Sequence, residues 1–389
     1  MKYIDEVPLE GKVVLVRVDF NVPLSPGLTV EDDQRIIACL PTIKYLLDKK
    51  CKVVLISHLG RPEGFVNKLS LKPLVGKLEE LLPGQKVSFI EDKSKSSKDL
   101  IKKSSESVFL LENIRFYKEE QENDPEFAKK LSFLADAFVN DAFSVSHRAD
   151  ASVVGVAGLL PGYGGLLLKK ELSALGKLLS NPNKPFIAIL GGSKISTKLS
   201  VIERLSDVVD SILVGGGIAN TLLASEGLSI GKSICEKEML SEAKKIIESC
   251  KNKGVRLTLP SDVVVGKEDS SKEETRIKRS SQLGEDDSIY DIGPETREIY
   301  GEQIKNARTI VWNGPVGYFE NPAYNSGSDA IYEAITSNSD AFSVAGGGDT
   351  LSFLATKYEN DKISFISTGG GAMLEYLAKG TLPGLQALS

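Results

Sequence analysis

Two runs of apolar strands separated by helical stretches, one on each side of a proline-rich break, predict an α/β protein with two Rossmann-like parallel-sheet domains joined by a helix and a hinge. Three observations carry this. Strands this apolar belong to a sheet covered on both faces, as parallel sheets are. The breaker NPNKP at 181–185 ends a helical stretch and divides the two runs. The 389-residue length suits two domains, and 41% hydrophobic with 26% charged residues is the make-up of a soluble globular chain.

In the first half the spacing predicts strands at 13–18, 52–57, 86–90, 107–111 and 137–140, with helices near 33–49, 71–82, 95–103 and 125–135. Residues 151–168 carry no charge, but Pro161 and five glycines would break a spanning helix, so the run reads as a strand and buried turn leading into a helix. That helix covers 165–180, with Leu168, Leu172, Leu175 and Leu179 at helical spacing. The N-terminal domain is therefore placed at 1–180, the hinge at 181–185, and the C-terminal domain at 181–378. Strands are predicted there at 186–190, 211–214, 308–312, 341–345 and 363–367. The serine-rich, charged stretch 266–288 reads as a solvated excursion, at most a hairpin. The tail 379–389 is apolar enough to dock.

A net charge of −5 offers no general attraction to nucleic acid, so an anion site must be a local cationic cluster. Four scattered cysteines fit neither a disulfide framework nor zinc and suit a reduced cytoplasm. The start MKYIDEVPLEGK has no apolar targeting core.

The stretch FIAILGGSKISTK at 186–198 reads as a buried strand, a two-glycine turn and a helix opening with Lys194 and Lys198 on one face. Such a turn aims backbone N–H groups and a helix dipole at one point, as a phosphate chain requires. The same stretch also fits an ordinary βα turn with two solvated lysines, and it is not a Walker A loop.

Of 48 basic residues only 11 are arginine, yet Arg61, Arg115 and Arg148 follow predicted strands, as do both histidines, His58 and His147. Asp19 and Asn21 follow the first strand, and Arg35 opens the first helix. Ligands of open α/β sheets sit beyond the carboxyl ends of the strands, so these residues should converge. Guanidinium forks bind phosphate and carboxylate bidentately, which points to a small ligand with more than one negative group. Arg17, inside a strand, reads as structural.

In the second half, glycine triplets at 215–217, 346–348 and 369–371 each end an apolar run, so the backbone can approach a ligand closely. Asp349 and Thr350 then open a helix. Asp349 is a candidate ligand for Mg²⁺ carried on nucleotide phosphates, or a plain N-cap, and Thr350 a candidate phosphate donor. Glu320, ending WNGPVGYFE at 312–320, is a candidate for ribose hydroxyls. No Gly-x-Gly-x-x-Gly supports a dinucleotide oxidoreductase.

Taken together, RVDFNVP at 17–23, Arg35, HLGRP at 58–62, LENIRF at 111–116, NDAFSVSHR at 140–148, GGSKISTK at 191–198, DIGPET at 291–296, WNGPVGYFE at 312–320, GGGDT at 346–350 and STGGGA at 367–372 make the chain resemble the phosphoglycerate kinases over essentially its whole length. The resemblance implies reversible, Mg²⁺-dependent phosphoryl transfer between ATP and the carboxylate of 3-phosphoglycerate, giving ADP and 1,3-bisphosphoglycerate. It further implies a cytoplasmic monomer, with no nucleic-acid or membrane partner, whose tail returns to the first domain. By this likeness Asp19 and Asn21 hold the glycerate end, and His58, Arg61, Arg115 and Arg148 the fixed phosphate, with Phe20, Leu59 and Gly60 completing the substrate set. Arg35, Lys194, Lys198, Gly370 and Gly371 would act on the phosphoryl group in flight. Gly293, Asn313, Glu320, Gly347, Gly348, Asp349 and Thr350, with the two lysines, would bind nucleotide, and Asp349 the metal. Asp150 stands where the family commonly has histidine and puts a negative charge near Arg148.

The nucleophile implied is a carboxylate, ionised at neutral pH, so no general base is needed. What remains is positioning and charge neutralisation under a closing pair of domains. The rivals are a kinase for a different small acid, which a substrate panel separates, and a nucleotide-binding scaffold, which nucleotide binding without turnover would reveal; the intact set Arg35, Lys194, Lys198 and Asp349 argues against lost turnover.

Overall fold

The computed structural model describes residues 1–91, 95–357 and 362–388. Residues 92–94, 358–361 and 389, which fall within the predicted domains and tail, lie outside the described residues. The chain divides into two compact units, Met1–Ser173 with Thr381–Ser389, and Ala174–Gly380. The division falls inside the helix Leu166–Ser180, upstream of the proline-rich break. The reason is packing: Ala174, Leu175 and Leu178 are buried, and the Lys177 ammonium lies 5.1 Å from the centre of the Phe342 ring, so the second half of this helix belongs with the second unit.

In the first unit six parallel strands, β1 (Val13–Arg17), β2 (Lys52–Ile56), β3 (Val87–Ile90), β4 (Val108–Leu111), β5 (Ala137–Asn140) and β6 (Gly162–Gly164), form one sheet in the order β3-β4-β2-β1-β5-β6. Every residue of β1 is buried, the mark of a central strand covered on both faces. Arg17 is in register with Ile56 on one side and Asn140 on the other. The chain therefore leaves β1, β2 and β5 at one level, bringing the segments after them to the same edge. The core beneath it gathers Val14, Val16, Phe20, Ile43, Val53, Leu55, Leu110 and Val139.

The uncharged run behaves differently from the sequence expectation at its start. Residues Ala151–Gly155 form a single wide helical turn and Val156–Gly158 a 3₁₀ turn, not a strand. The buried Glu120 carboxylate accepts the Ser152 N–H (2.9 Å), and the Asp150 carbonyl accepts from Val153 and Val154, so these amides are unavailable to a sheet. No helix among the described residues is long and apolar enough to cross a membrane. The following helix spans 166–180 as the spacing predicts, though Leu172 and Leu179 are only half buried and Glu171 and Leu178 take inward positions. Its first amides are capped: Thr42 Oγ1 accepts from Leu166 (2.8 Å), and Asp141 Oδ1 from Leu167 (2.9 Å) and Leu168 (3.2 Å). Burial, offset in part by Thr42 and these amides, pushes the Asp141 carboxyl up to about 7. The tail turns into a short helix, Pro383–Gln386. Gly384 N–H donates to the Ser146 carbonyl (2.8 Å), while Leu382, Leu385 and Leu388 are buried.

The second unit continues with β7 (Phe186–Leu190), β8 (Ser211–Val214), β9 (Arg256–Thr258), β10 (Asp262–Val265), β11 (Arg276–Arg279), β12 (Ile289–Ile292), β13 (Thr309–Asn313), β14 (Phe342–Gly346) and β15 (Phe365–Ser367). Six of them form a parallel sheet ordered β15-β14-β13-β7-β8-β9. The other three make an antiparallel sheet, β11-β10-β12. The solvated excursion at 266–288 thus contributes a real outer strand. β11 is mostly exposed and is pinned by Lys278 to the buried Asp287 (2.6 Å).

Candidate active site

In both parallel sheets the first strand is central, and the chain leaves it toward one side before returning on the other. The crevice between β1 and β5, and that between β7 and β13, are the switch points where such sheets take ligands.

At the first crevice, Asp19 is the organising carboxylate. Its Oδ1 accepts the Asn21 N–H (3.0 Å), and its Oδ2 pairs with Arg35 Nη1 and accepts from Ser144 Oγ. Burial works against the Asp19 carboxylate, but His58, Arg35 and Ser144 outweigh it and hold the carboxyl below its ordinary range. Asn21 Oδ1 accepts the Gly60 N–H (2.8 Å), and the Gly60 carbonyl accepts from Arg115 Nη1 (2.8 Å). The turns after β1, β2 and β4 are thereby linked to one another. Asn113, fully buried, locks the linkage: its Oδ1 accepts from Leu59 (3.2 Å) and Arg115 (3.1 Å), and its Nδ2 donates to the carbonyls of Leu59 (2.8 Å) and Leu69 (2.9 Å).

The cations of this pocket repel one another. Burial first, then Arg148 and Arg17, push the Arg115 guanidinium down to about 10, against the pull of Asp150 and Asp19. Burial likewise pushes His58 well below its usual value; Asp19 opposes this, and Arg17, Arg115 and Arg35 reinforce it. The Nε atoms of Arg115 and Arg148 are buried without a hydrogen-bond partner. Buried donors of this kind are costly unless a ligand pairs them, and an anion is what a guanidinium pairs with. Arg61 is exposed. Phe20 and Leu59 are buried, so both can meet a ligand only through backbone, and the Phe20 N–H is already given to Ser57 Oγ (2.7 Å).

At the second crevice the walls are backbone. A Cβ on Gly191 would lie 1.9 Å from the Pro315 carbonyl oxygen, and one on Gly217 would lie 2.1 Å from that of Ser193. Only glycine allows these turns to pack so closely. The predicted helix after β7 starts later than the sequence suggests. It spans Leu199–Leu205, so Lys194 and Lys198 do not share a helix face. The 191–198 segment is a loop, pinned at Ser196, whose N–H (2.9 Å) and Oγ (2.6 Å) both donate to Glu236. Lys194 is exposed, whereas the buried Lys198 Nζ donates to the carbonyls of Gly191 (2.6 Å) and Asn313 (2.8 Å). Burial pushes the Lys198 ammonium down to about 8, with Asp349 pulling the other way.

A family model described as phosphoglycerate kinase matches residues 4–380. The chain belongs to the phosphoglycerate kinase family. It is 50% identical over 382 residues to the phosphoglycerate kinase of Dictyoglomus turgidum, covering 98% of this chain and 96% of that one. With the phosphoglycerate kinase of Finegoldia magna it shares 45% identity over 392 residues, covering 100% and 98%. Among solved structures, phosphoglycerate kinase from Coxiella burnetii superposes with a TM-score of 0.89 at 41% identity, covering 99% of this chain and 98% of that one. The Pyrococcus horikoshii enzyme gives 0.85 at 34%, covering 100% and 98%. As a member of this kinase family the chain is a phosphotransferase with a carboxyl acceptor.

The remaining phosphoglycerate-kinase positions distribute as follows. Thr350 is buried, with its Oγ1 donating to the Gly346 carbonyl (3.0 Å) and accepting the Gly314 N–H (2.7 Å). Asn313 Nδ2 donates to the same Gly346 carbonyl (2.7 Å). Both side chains therefore shape the loop beside Gly347. Gly348 and Asp349 are exposed in the first turn of the helix Gly348–Lys357, and Glu320 is exposed beyond β13. Gly293 caps the helix Pro294–Lys305, and Gly370 precedes the helix that Gly371 opens. Sequence reasoning singled out Ser144 only as a departure from the family pattern before His147 and Arg148, and it missed Asn113 as part of the first pocket. The only available signal for Asn113 was its place at a strand end, since three of its four bonds go to Leu59 and Leu69, distant in sequence.

Proposed function

We infer that this chain carries out the family's reaction with the first crevice holding 3-phosphoglycerate and the second holding the nucleotide. The observation that carries the reading is the pair of buried, unpartnered guanidinium nitrogens of Arg115 and Arg148, two cations close enough to depress the Arg115 guanidinium. These arginines, with Arg61 and His58, take the substrate's fixed phosphate. Asp19 and Asn21 orient the glycerate end. The attacking group is the substrate's own carboxylate, ionised at neutral pH, so the protein positions it and neutralises charge. Arg35, half exposed beside Asp19, is assigned to the transferring phosphoryl group, as are Lys194 and the amides of Gly370 and Gly371. Lys198 is assigned to the same charge from the nucleotide side, and bending at 181–185 to bringing the two ligands together.

Asp349 fits a magnesium ion carried on the nucleotide. It is an exposed carboxylate in the first turn of its helix, and no cluster of three or more potential metal-ligating side chains stands anywhere among the described residues. A cation there would take most of its ligands from phosphate and water, as Mg²⁺ does, and would neutralise phosphate charge. We assign the protein as a monomer of the cytoplasm, in keeping with four free cysteines, three of them buried.

The test is Mg²⁺-dependent phosphoryl transfer from ATP to 3-phosphoglycerate, coupled to NADH oxidation. Turnover that disappears on omission of ATP, acid or metal is expected. Turnover with other small carboxylic acids but not with this one would overturn the substrate assignment.

A further inference from the structure

We propose that Arg17 is a positioning residue that fixes His58 as the neutral Nε2–H tautomer, so that the pocket offers the substrate anion an uncharged imidazole donor. This rests on the assignment of the first crevice to a phosphate-bearing substrate. Arg17 Nη2 lies 3.3 Å from His58 Nδ1. A guanidinium has donors and no acceptor, so the bond exists only when Nδ1 carries a lone pair. The single ring proton of the neutral imidazole is then on Nε2.

Arg17 has no freedom to do otherwise. It is the last residue of β1 and is wholly buried. Its Nε donates to Ser152 Oγ (2.8 Å) and its Nη1 to the Val18 carbonyl. Ser152 in turn donates its Oγ and its N–H to the buried Glu120 carboxylate. Removing Glu120 from water raises its pKa, and Arg17 with Ser152 opposes that rise, so the pair forms an interior charge balance behind His58. The segment Ala151–Gly155 is thus tied through Arg17 to the histidine.

The charged groups that face His58 come from four elements: Arg17 on β1, Asp19 after it, Arg35 on the helix Gln34–Asp48, and Arg115 after β4. Three cations and one anion surround a buried ring. A second proton would have to sit on Nδ1, against the Arg17 guanidinium, so the lone pair there persists when pH falls below the ordinary imidazole value. The chain carries only two histidines, so each ring can be followed separately.

The decisive experiment is ¹⁵N-histidine NMR of the full chain without ligand, from pH 5.5 to 8, with His58 assigned by comparison with His147→Gln. The expected spectrum shows Nε2 protonated and Nδ1 unprotonated for His58 throughout. An Nδ1–H tautomer, or an imidazolium at pH 7, overturns the proposal whatever the enzyme's substrate proves to be. Added inorganic phosphate should move the His58 Nε2–H resonance, and a shift confined to Nδ1 would also overturn it. In Arg17→Lys, which keeps the positive charge but loses the fork, His58 should populate both tautomers. The KM for 3-phosphoglycerate should rise about tenfold while the KM for ATP stays within twofold. If Arg17→Lys folds and leaves tautomer and KM unchanged, Arg17 is not the positioning residue. If it does not fold, the wild-type spectrum decides. Absence of turnover with an unaltered Nε2–H spectrum would refute the substrate assignment and leave the tautomer intact.

Discussion

The two crevices solve one problem, holding a polyanion, with opposite materials. The first is made of side chains: Arg35, Arg115, Arg148, His58 and Asp19 meet over loops tied by Asn21 and Asn113. The second is made of main chain, with glycines at 191 and 217 packed against carbonyls and one buried lysine beneath. Side chains carry whole charges that repel one another, so the first pocket perturbs its own ionisation. Backbone carries partial charges at fixed spacing, so the second depends on there being no Cβ. The first should therefore fail gradually, by affinity and pH, and the second abruptly, by geometry.

The sharpest contrast comes from the smallest change. Gly217→Ala should cost the second unit its native turn, because the new methyl would meet the Ser193 carbonyl at 2.1 Å. Loss of nucleotide binding by calorimetry, with a lowered Tm, is expected; wild-type binding would show that backbone spacing is not the determinant. Next is Arg35→Ala, which should lower kcat by ~10²-fold, the scale for a lost transition-state donor, with an overall stability close to wild type. An unchanged kcat would remove Arg35 from the phosphoryl path.

Two smaller effects read out charge. Lys198 is charged below about 8 and loses its proton above it, so nucleotide affinity should fall as pH rises through that value. Lys198→Met should be weak at every pH and show no such limb. A limb that persists in the variant would assign it elsewhere. For His58 the folded-state value is depressed, so the unfolded chain binds more protons on the acid side. Its contribution to stability is present above the ordinary imidazole value of about 6.5 and is lost as pH falls below it. Urea titrations of wild type and His58→Gln should diverge only on the acid side, and parallel curves would contradict the depressed value.

The sequence was legible wherever local chemistry agreed with the fold. Unbroken apolar runs such as FIAIL and VVLVR are buried strands, and the residues after them reach the carboxyl edge. It was misleading where tertiary contacts overrode local pattern. The strand β9 has no buried position, so no apolar run marks it in the sequence. The segment GGSKISTK looks like a helix start, yet Gly191 packs on the Gly314–Pro315 backbone, Ser193 on Gly217 at the start of the helix Gly216–Ser225, and Glu236 holds Ser196, so the helix waits until Leu199.

By itself, then, the sequence determined the architecture, the family and the set of residue types at each strand end. Apolar period, turn chemistry and residue spacing are properties of neighbours in the chain. The tertiary structure alone decided that Lys198 is buried and Lys194 is not, that Asn113 joins three loops, and that Arg17 faces His58 across two strands. Those facts depend on strand order and register, which bring together groups as far apart as residues 17, 58, 120 and 152. No local pattern encodes which of them will share a proton's position.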